Sequence, residues 1–182
     1  MSRGYDPRAV ANLMLDEADR LDIGVSHIIL QKLLYFAHGI YLVRTKTPLV
    51  SGYFEAWQYG PVHPAAYKAF KQAGRGPIDF RAVAQDPLTG ERRQIVTPED
   101  CHVVDLLRQV LLTYGKMPAG RLVDLAHAKD SPWEYVVAKA RTEVAFGLRI
   151  QDTVIVDRFR FHKVSVGLEP VSGEPFDDTP LA

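Results

Sequence analysis

Six histidines and one cysteine carry most of the reactive chemistry in this 182-residue chain. The histidines are His27, His38, His63, His102, His127 and His162. None forms the His-Glu-x-x-His pair that places two imidazoles on one helix face around zinc, and a single cysteine cannot build a thiolate cluster. Cys101 and His102 invite a thiolate–imidazole dyad, but neighbours on a helix point about 100° apart. They read instead as small and polar residues near a helix start. Asp16 and Glu17 diverge for the same reason. The sequence holds no Gly-x-Ser-x-Gly elbow, no phosphate-cradling Gly-x-x-x-x-Gly-Lys loop and no Gly-x-Gly-x-x-Gly turn. The expectation is a protein that is not an enzyme and takes no cofactor or metal.

A different chemistry is concentrated where aromatics with polar handles adjoin glycine and proline: Tyr53, Phe54, Trp57, Tyr59 and Tyr67. Tyrosine and tryptophan bring large contact area with few torsions to freeze, which suits recognition of another protein. The same rings could fill the domain's own core. Tyr53 and Tyr59 fit either role, whereas Trp57, Leu33 and Leu34 are assigned to packing. Two small basic groups, Lys68-Lys71-Arg75 and Arg92-Arg93, read as solvated surface because no basic stripe accompanies them.

The elements that must position these residues are mostly helical. Asp6-Pro7 reads as a cap and first turn, followed by Val10, Leu13, Met14, Ala18 and Leu21 at helical spacing, with Gly24 as the stop. A second helix, about 26–44 with Ser26 as cap, is apolar nearly all round, so it belongs in the middle of a bundle. A short extended piece is expected at 53–57. A third helix is expected from Pro61–Pro64 to Gly74. Asp-Pro-Leu-Thr-Gly at 86–90 predicts a small β-hairpin near 78–97. Thr97-Pro98-Glu99-Asp100 reads as a capped start for a helix burying Val103, Leu106, Leu107, Val110, Leu111 and Tyr114. Further helices are expected over 119–129, from the Ser131-Pro132-Trp133-Glu134 capping box to about 142, and from an Asp152 cap to Phe159, although Val154-Ile155-Val156 would also suit a strand.

Bulk composition bounds the class. One mainly α, compact multi-helix domain is expected over 1–166, followed by an acidic segment at 167–182 that cannot fold alone and is expected as a flexible or partner-ordered tail. Its Pro180-Leu181-Ala182 end resembles a protease-recognition tail. Twenty-two basic residues balance twenty-two acidic ones, so no global field favours nucleic acid. The longest oily stretch, Ile28 to Val43, falls short of the roughly 20 residues that span a bilayer. One cysteine and no secretion-signal plan at the start give an expectation of a cytoplasmic protein without a membrane partner.

Three segments together resemble the Panacea domain family of SocA-like antitoxins: Leu30-Gln31-Lys32-Leu33-Leu34-Tyr35-Phe36-Ala37, Glu55-Ala56-Trp57-Gln58-Tyr59-Gly60-Pro61-Val62, and Leu122–His127 leading to Ser131-Pro132-Trp133. Ala126 stands where the family usually has threonine. The resemblance covers roughly Val10 to Arg141. It implies an antitoxin that neutralises a cognate toxin by direct binding and, in one branch, delivers it to the ClpXP protease. Other relatives are phage-associated proteins of the GepA type. The alternative is a nucleic-acid-binding regulator of its own operon. On the residues, Lys32, Tyr35, Trp57, Tyr59, Pro61 and Trp133 are expected as neighbours, and Lys32, Tyr35 and Tyr59 as contributors to a partner-binding surface. Lys32 and Gln31, polar on an oily helix, need partners if buried, or else line a surface groove.

Overall fold

The computed structural model describes residues 4–141 and 148–159. Seven helices occupy most of these: α1 (Pro7–Arg20), α2 (His27–Thr45), α3 (Pro64–Phe70), α4 (Cys101–Tyr114), α5 (Ala119–Ala126), α6 (Pro132–Ala140) and α7 (Asp152–Arg158). Five short strands join them: β1 (Phe54–Trp57), β2 (Gly60–Val62), β3 (Val83–Gln85), β4 (Arg92–Gln94) and β5 (Arg149–Ile150). The mainly α expectation holds. The expected tail at 167–182, its Pro180-Leu181-Ala182 end and the domain limit at 166 lie outside the described residues.

α1 starts as its sequence dictates. The Asp6 carboxylate accepts from the Arg8 amide at 2.8 Å, and Pro7 takes the first helical position, where a missing amide proton costs nothing. Its apolar face packs on α2, α3 and α4. Buried Asn12 exchanges two hydrogen bonds with the backbone of Ala82, at 2.8 and 2.9 Å, and so pins the stretch ahead of β3 to the helix.

α2 packs against α1, α3, α4, α5, α7 and β2. Leu30, Leu33, Leu34, Tyr35 and Phe36 are fully buried, each such side chain contributing about 1.5–3 kcal/mol of transfer free energy. No helix among the described residues is long and apolar enough to cross a membrane. Gly39 leaves a notch on α2 that the Phe159 ring fills; a Cβ there would lie 2.3 Å from that ring.

β1 pairs antiparallel with β2 on one side and β5 on the other. Only Gln58 and Tyr59 link β1 to β2, so the Trp-x-Tyr-Gly-Pro sequence is the turn of a tight hairpin. The helix expected to start within Pro61–Pro64 forms, but the chain reaches it through a strand rather than directly from the Gly60-Pro61 turn. Pro61 sits in an edge strand, where proline is tolerated, and α3 begins at Pro64. The expected second hairpin forms, with Val83, Ala84 and Gln85 opposite Gln94, Arg93 and Arg92. Asp86 organises its turn by accepting from the amides of Leu88 and Thr89.

Four caps differ from the sequence reading. α4 starts at Cys101 because the Asp100 carboxylate takes the His102 amide at 2.9 Å, displacing Thr97 from the role. Ser26 occupies the cap position of α2 without a side-chain hydrogen bond. Asp152 is the first residue of α7, whose cap is Gln151. Ser131 caps α6 through the Glu134 amide at 3.2 Å, but Glu134 reaches back to Asp130 rather than closing the box on Ser131.

Candidate functional site

The residues singled out in the sequence converge where α2 meets the β1–β2 hairpin and the α5–α6 pair. Lys32 has no exposed surface, and its Nζ donates to the Pro61 carbonyl at 3.1 Å. Gly60 makes that approach possible. Its φ is +106°, and a Cβ would stand 3.2 Å from Lys32 Cε and Nζ and from Ala126 Cβ. Trp133 Nε1 donates to the Trp57 carbonyl at 2.8 Å, and Trp57 Nε1 donates to Glu55 at 2.9 Å. The Trp57 ring leans on Tyr67, with centroids 4.7 Å apart. His127 stacks on Trp133 at 3.6 Å. Backbone carbonyls of the hairpin are thus held by one side chain from α2 and one from α6.

The electrostatics follow from burial. Desolvation first, and the Lys32 charge second, push the His127 imidazole down to about 4, so it is neutral near pH 7. Its Nε2 has no hydrogen-bond partner among the described residues, and neither has the Tyr35 hydroxyl. Burial raises the Tyr35 phenol far above its ordinary range. Tyr35 is gripped by edge-on rings, Phe54 at 5.4 Å and Phe159 at 5.6 Å. The cavity beside it, bordered by Leu125, Ser131 and Phe159, measures about 10 Å³. That is far below the roughly 300–1,000 Å³ of ligand pockets.

A second polar layer fastens the 46–53 connection. The Gln31 carbonyl oxygen accepts from the His63 amide at 3.0 Å, and His63 Nε2 donates to the Ser51 carbonyl at 2.9 Å. Burial lowers the His63 pKa. His38 Nδ1 accepts from the Val50 amide at 3.4 Å, which leaves Nε2 to donate to Asp152 at 3.1 Å and tie α7 to α2. Every one of these side chains acts on backbone or on a neighbouring element, the work of a clamp.

Lys32, Tyr35, Trp57 and Pro61 are therefore buried, while Tyr59 and Trp133 are half-buried at the outer edge of the same cluster. The four buried residues have almost no surface of their own to offer a partner. Tyr53 is exposed, with the Arg149 guanidinium 3.9 Å over its ring. One expectation on Cys101 and His102 needs correction. With Asp100, extended at the cap position, they form a group whose donor atoms lie within 4.8 Å of one another. Cys101 and His102 are exposed, and the Asp100 carboxylate is committed to capping.

Sequence reasoning passed over a second region. A cleft of about 730 Å³ runs between the start of α1, α3 and the β3–β4 hairpin. Lys68 and Arg92, read separately as solvated charges, face into it together. The signal was present in both basic groups, but only the fold reveals that α3 and the hairpin are opposite walls.

The family described as "Antitoxin SocA-like, Panacea domain" matches residues 30–134. The chain is also 47% identical to Antitoxin SocA of Caulobacter vibrioides over 178 residues, covering 98% of this chain and 95% of that one. No solved structure matches.

Proposed function

The chain belongs to the antitoxin SocA-like Panacea domain family, and from that premise we propose that it is an antitoxin that neutralises a cognate toxin by binding it directly. The observation that carries this reading is the 47% identity to Antitoxin SocA, which runs through almost the whole of both chains rather than through one motif. The clamp supports it in physical terms. A domain whose hairpin, helices and connection are cross-tied by buried side chains offers a pre-organised surface, and pre-organisation lowers the entropy lost on association. In this reading Tyr59 and Trp133 contribute the outer rim of a partner surface. Lys32, Tyr35, Trp57 and Pro61 hold that rim in place. The reading extends to adaptor activity, in which the bound toxin is handed to ClpXP in the cytoplasm.

The test begins with the toxin encoded beside this gene, expressed alone and together with this protein. Co-expression restores growth, and the two purified proteins form a stoichiometric complex by calorimetry. Restored growth with no complex would contradict direct binding. For the adaptor role, the toxin's half-life with purified ClpXP and ATP shortens when this protein is added; an unchanged half-life removes that part alone.

A further inference from the structure

The α1–α3–hairpin cleft has the chemistry of a docking site, and we propose that it receives an acidic segment of the toxin, one carrying apolar side chains between its carboxylates. This deepens the antitoxin reading and rests on it. Four basic residues line the cleft (Arg8, Lys68, Arg81, Arg92) against one acid, Asp6, a difference of three positive charges in a chain whose total is zero. Asp6 is taken by Arg8, and Arg81 by Asp16 and Asp19. Lys68 and Arg92 have no ion pair among the described residues, which leaves two cations on opposite walls.

The cleft lining also has an apolar part. Ala69 of α3 and Phe80 sit between the charged walls, and Phe80 is supported from behind by Phe70, with ring centroids 5.8 Å apart. Among the described residues, the hairpin wall is only partly covered. Val83 and Gln85 share a face by the two-residue strand repeat, and the register puts Arg92 directly across from Gln85 on that face. A two-stranded hairpin is marginal in water without something packed on it. Val83 is 42% exposed, and Leu88 and Val96, on the same hairpin and its flank, are 95% and 84% exposed. Of the six large apolar residues exposed among those described, two lie on this hairpin and a third on its flank.

The occupant is a peptide segment rather than nucleic acid. Two uncommitted cations over an alanine–phenylalanine floor give few phosphate contacts, whereas nucleic-acid affinity grows with the number of phosphates neutralised. Carboxylates reach Lys68 and Arg92 from a chain whose apolar side chains fill the space between, and the volume suits a short stretch.

The test uses the full chain and the purified toxin. Lys68→Glu/Arg92→Glu is compared with Arg93→Glu/Lys116→Glu, which makes the same change in net charge at positions that do not line the cleft. With unchanged melting temperatures, the cleft variant binds toxin about tenfold or more weakly and the control binds as the parent does. Added salt weakens the parent complex and barely affects the cleft variant. Equal binding by parent and cleft variant would overturn the proposal while leaving the antitoxin reading intact. A parent that binds no toxin would remove both. Two other occupants are open to the same materials, and either finding overturns the proposal. A parent that is dimeric in light scattering and becomes monomeric in the cleft variant assigns the cleft to a second copy. Faster amine labelling of Lys68 after deletion of 167–182, in the absence of toxin, assigns it to the chain's own C-terminal segment.

Discussion

The junction of α2 with the β1–β2 hairpin and the cleft beside the β3–β4 hairpin each use a short antiparallel ribbon, with opposite results. The first ribbon is held by Lys32 and Trp133 on its carbonyls, has Ala126 against its glycine, and leaves its aromatics buried or half-buried. The second has one face open, charged side chains on its walls, and Val83 and Leu88 in solvent. The residues most recognisable in the sequence belong to the first region. Burial explains why: a lysine, a glycine and a tryptophan locked together cannot be exchanged without leaving a polar group unpaired or a space overfilled. Surface residues of the second region have no such constraint and are free to follow a partner. A recognisable motif is therefore a better guide to what folds the domain than to what it touches.

Substitutions in the first region should give the largest losses of stability. Gly60→Val combines a backbone conformation at φ +106° with overlap against Lys32 and Ala126, and is expected to cost about 3 kcal/mol or more in urea denaturation. Acid should act on the same junction to a comparable extent. His127 is depressed from 6.5 to about 4 in the folded state, so its contribution is complete above about pH 6.5 and is lost as pH falls toward 4. The difference is roughly 3 kcal/mol. His127→Phe keeps a ring on Trp133 and should flatten that part of the acid limb, His63 retaining a loss of the same sign. Stability of the variant that still falls as steeply over this window would count against the assignment.

Smaller effects are expected farther out. Asn12→Ala leaves the Ala82 amide and carbonyl unpaired and should cost about 2 kcal/mol, with faster amide exchange through the stretch ahead of β3. Ser131→Ala removes a helix cap and should cost about 1 kcal/mol in thermal melts. Lys68→Glu and Arg92→Glu, in the second region, should leave the melting temperature within the range of ordinary surface changes, about 0.5 kcal/mol. A large loss from either would erase the contrast between the regions.

Local signals read well. The stripes of α1, α2 and α4, the Asp6 cap and the Asp-Pro-Leu-Thr-Gly turn all follow from spacing and turn chemistry within a few residues. Cap choice read less well where two candidates competed, as with Thr97 and Asp100, because hydrogen-bond geometry decides between them. Apart from the grouping of Lys32, Trp57, Pro61 and Trp133 that the resemblance suggested, contacts between distant residues were not legible. Nothing local announces that Gly39 must be bare to admit Phe159, that Asn12 clasps Ala82, or that Lys68 and Arg92 line one cleft. Gln31 and Lys32 were legible halfway: an oily helix demanded partners for them, and only the packed structure identified the His63 amide and the Pro61 carbonyl.

Hydrogen–deuterium exchange of the protein alone and saturated with purified toxin tests the division most directly. New protection is expected at 64–73 and 80–94, together with the β1–β2 turn and the start of α6 that carry Tyr59 and Trp133, while the amides of α2 (27–45) are already slow and unchanged. New protection confined to 119–140 and the β1–β2 turn, with 64–94 unaltered, would contradict the division.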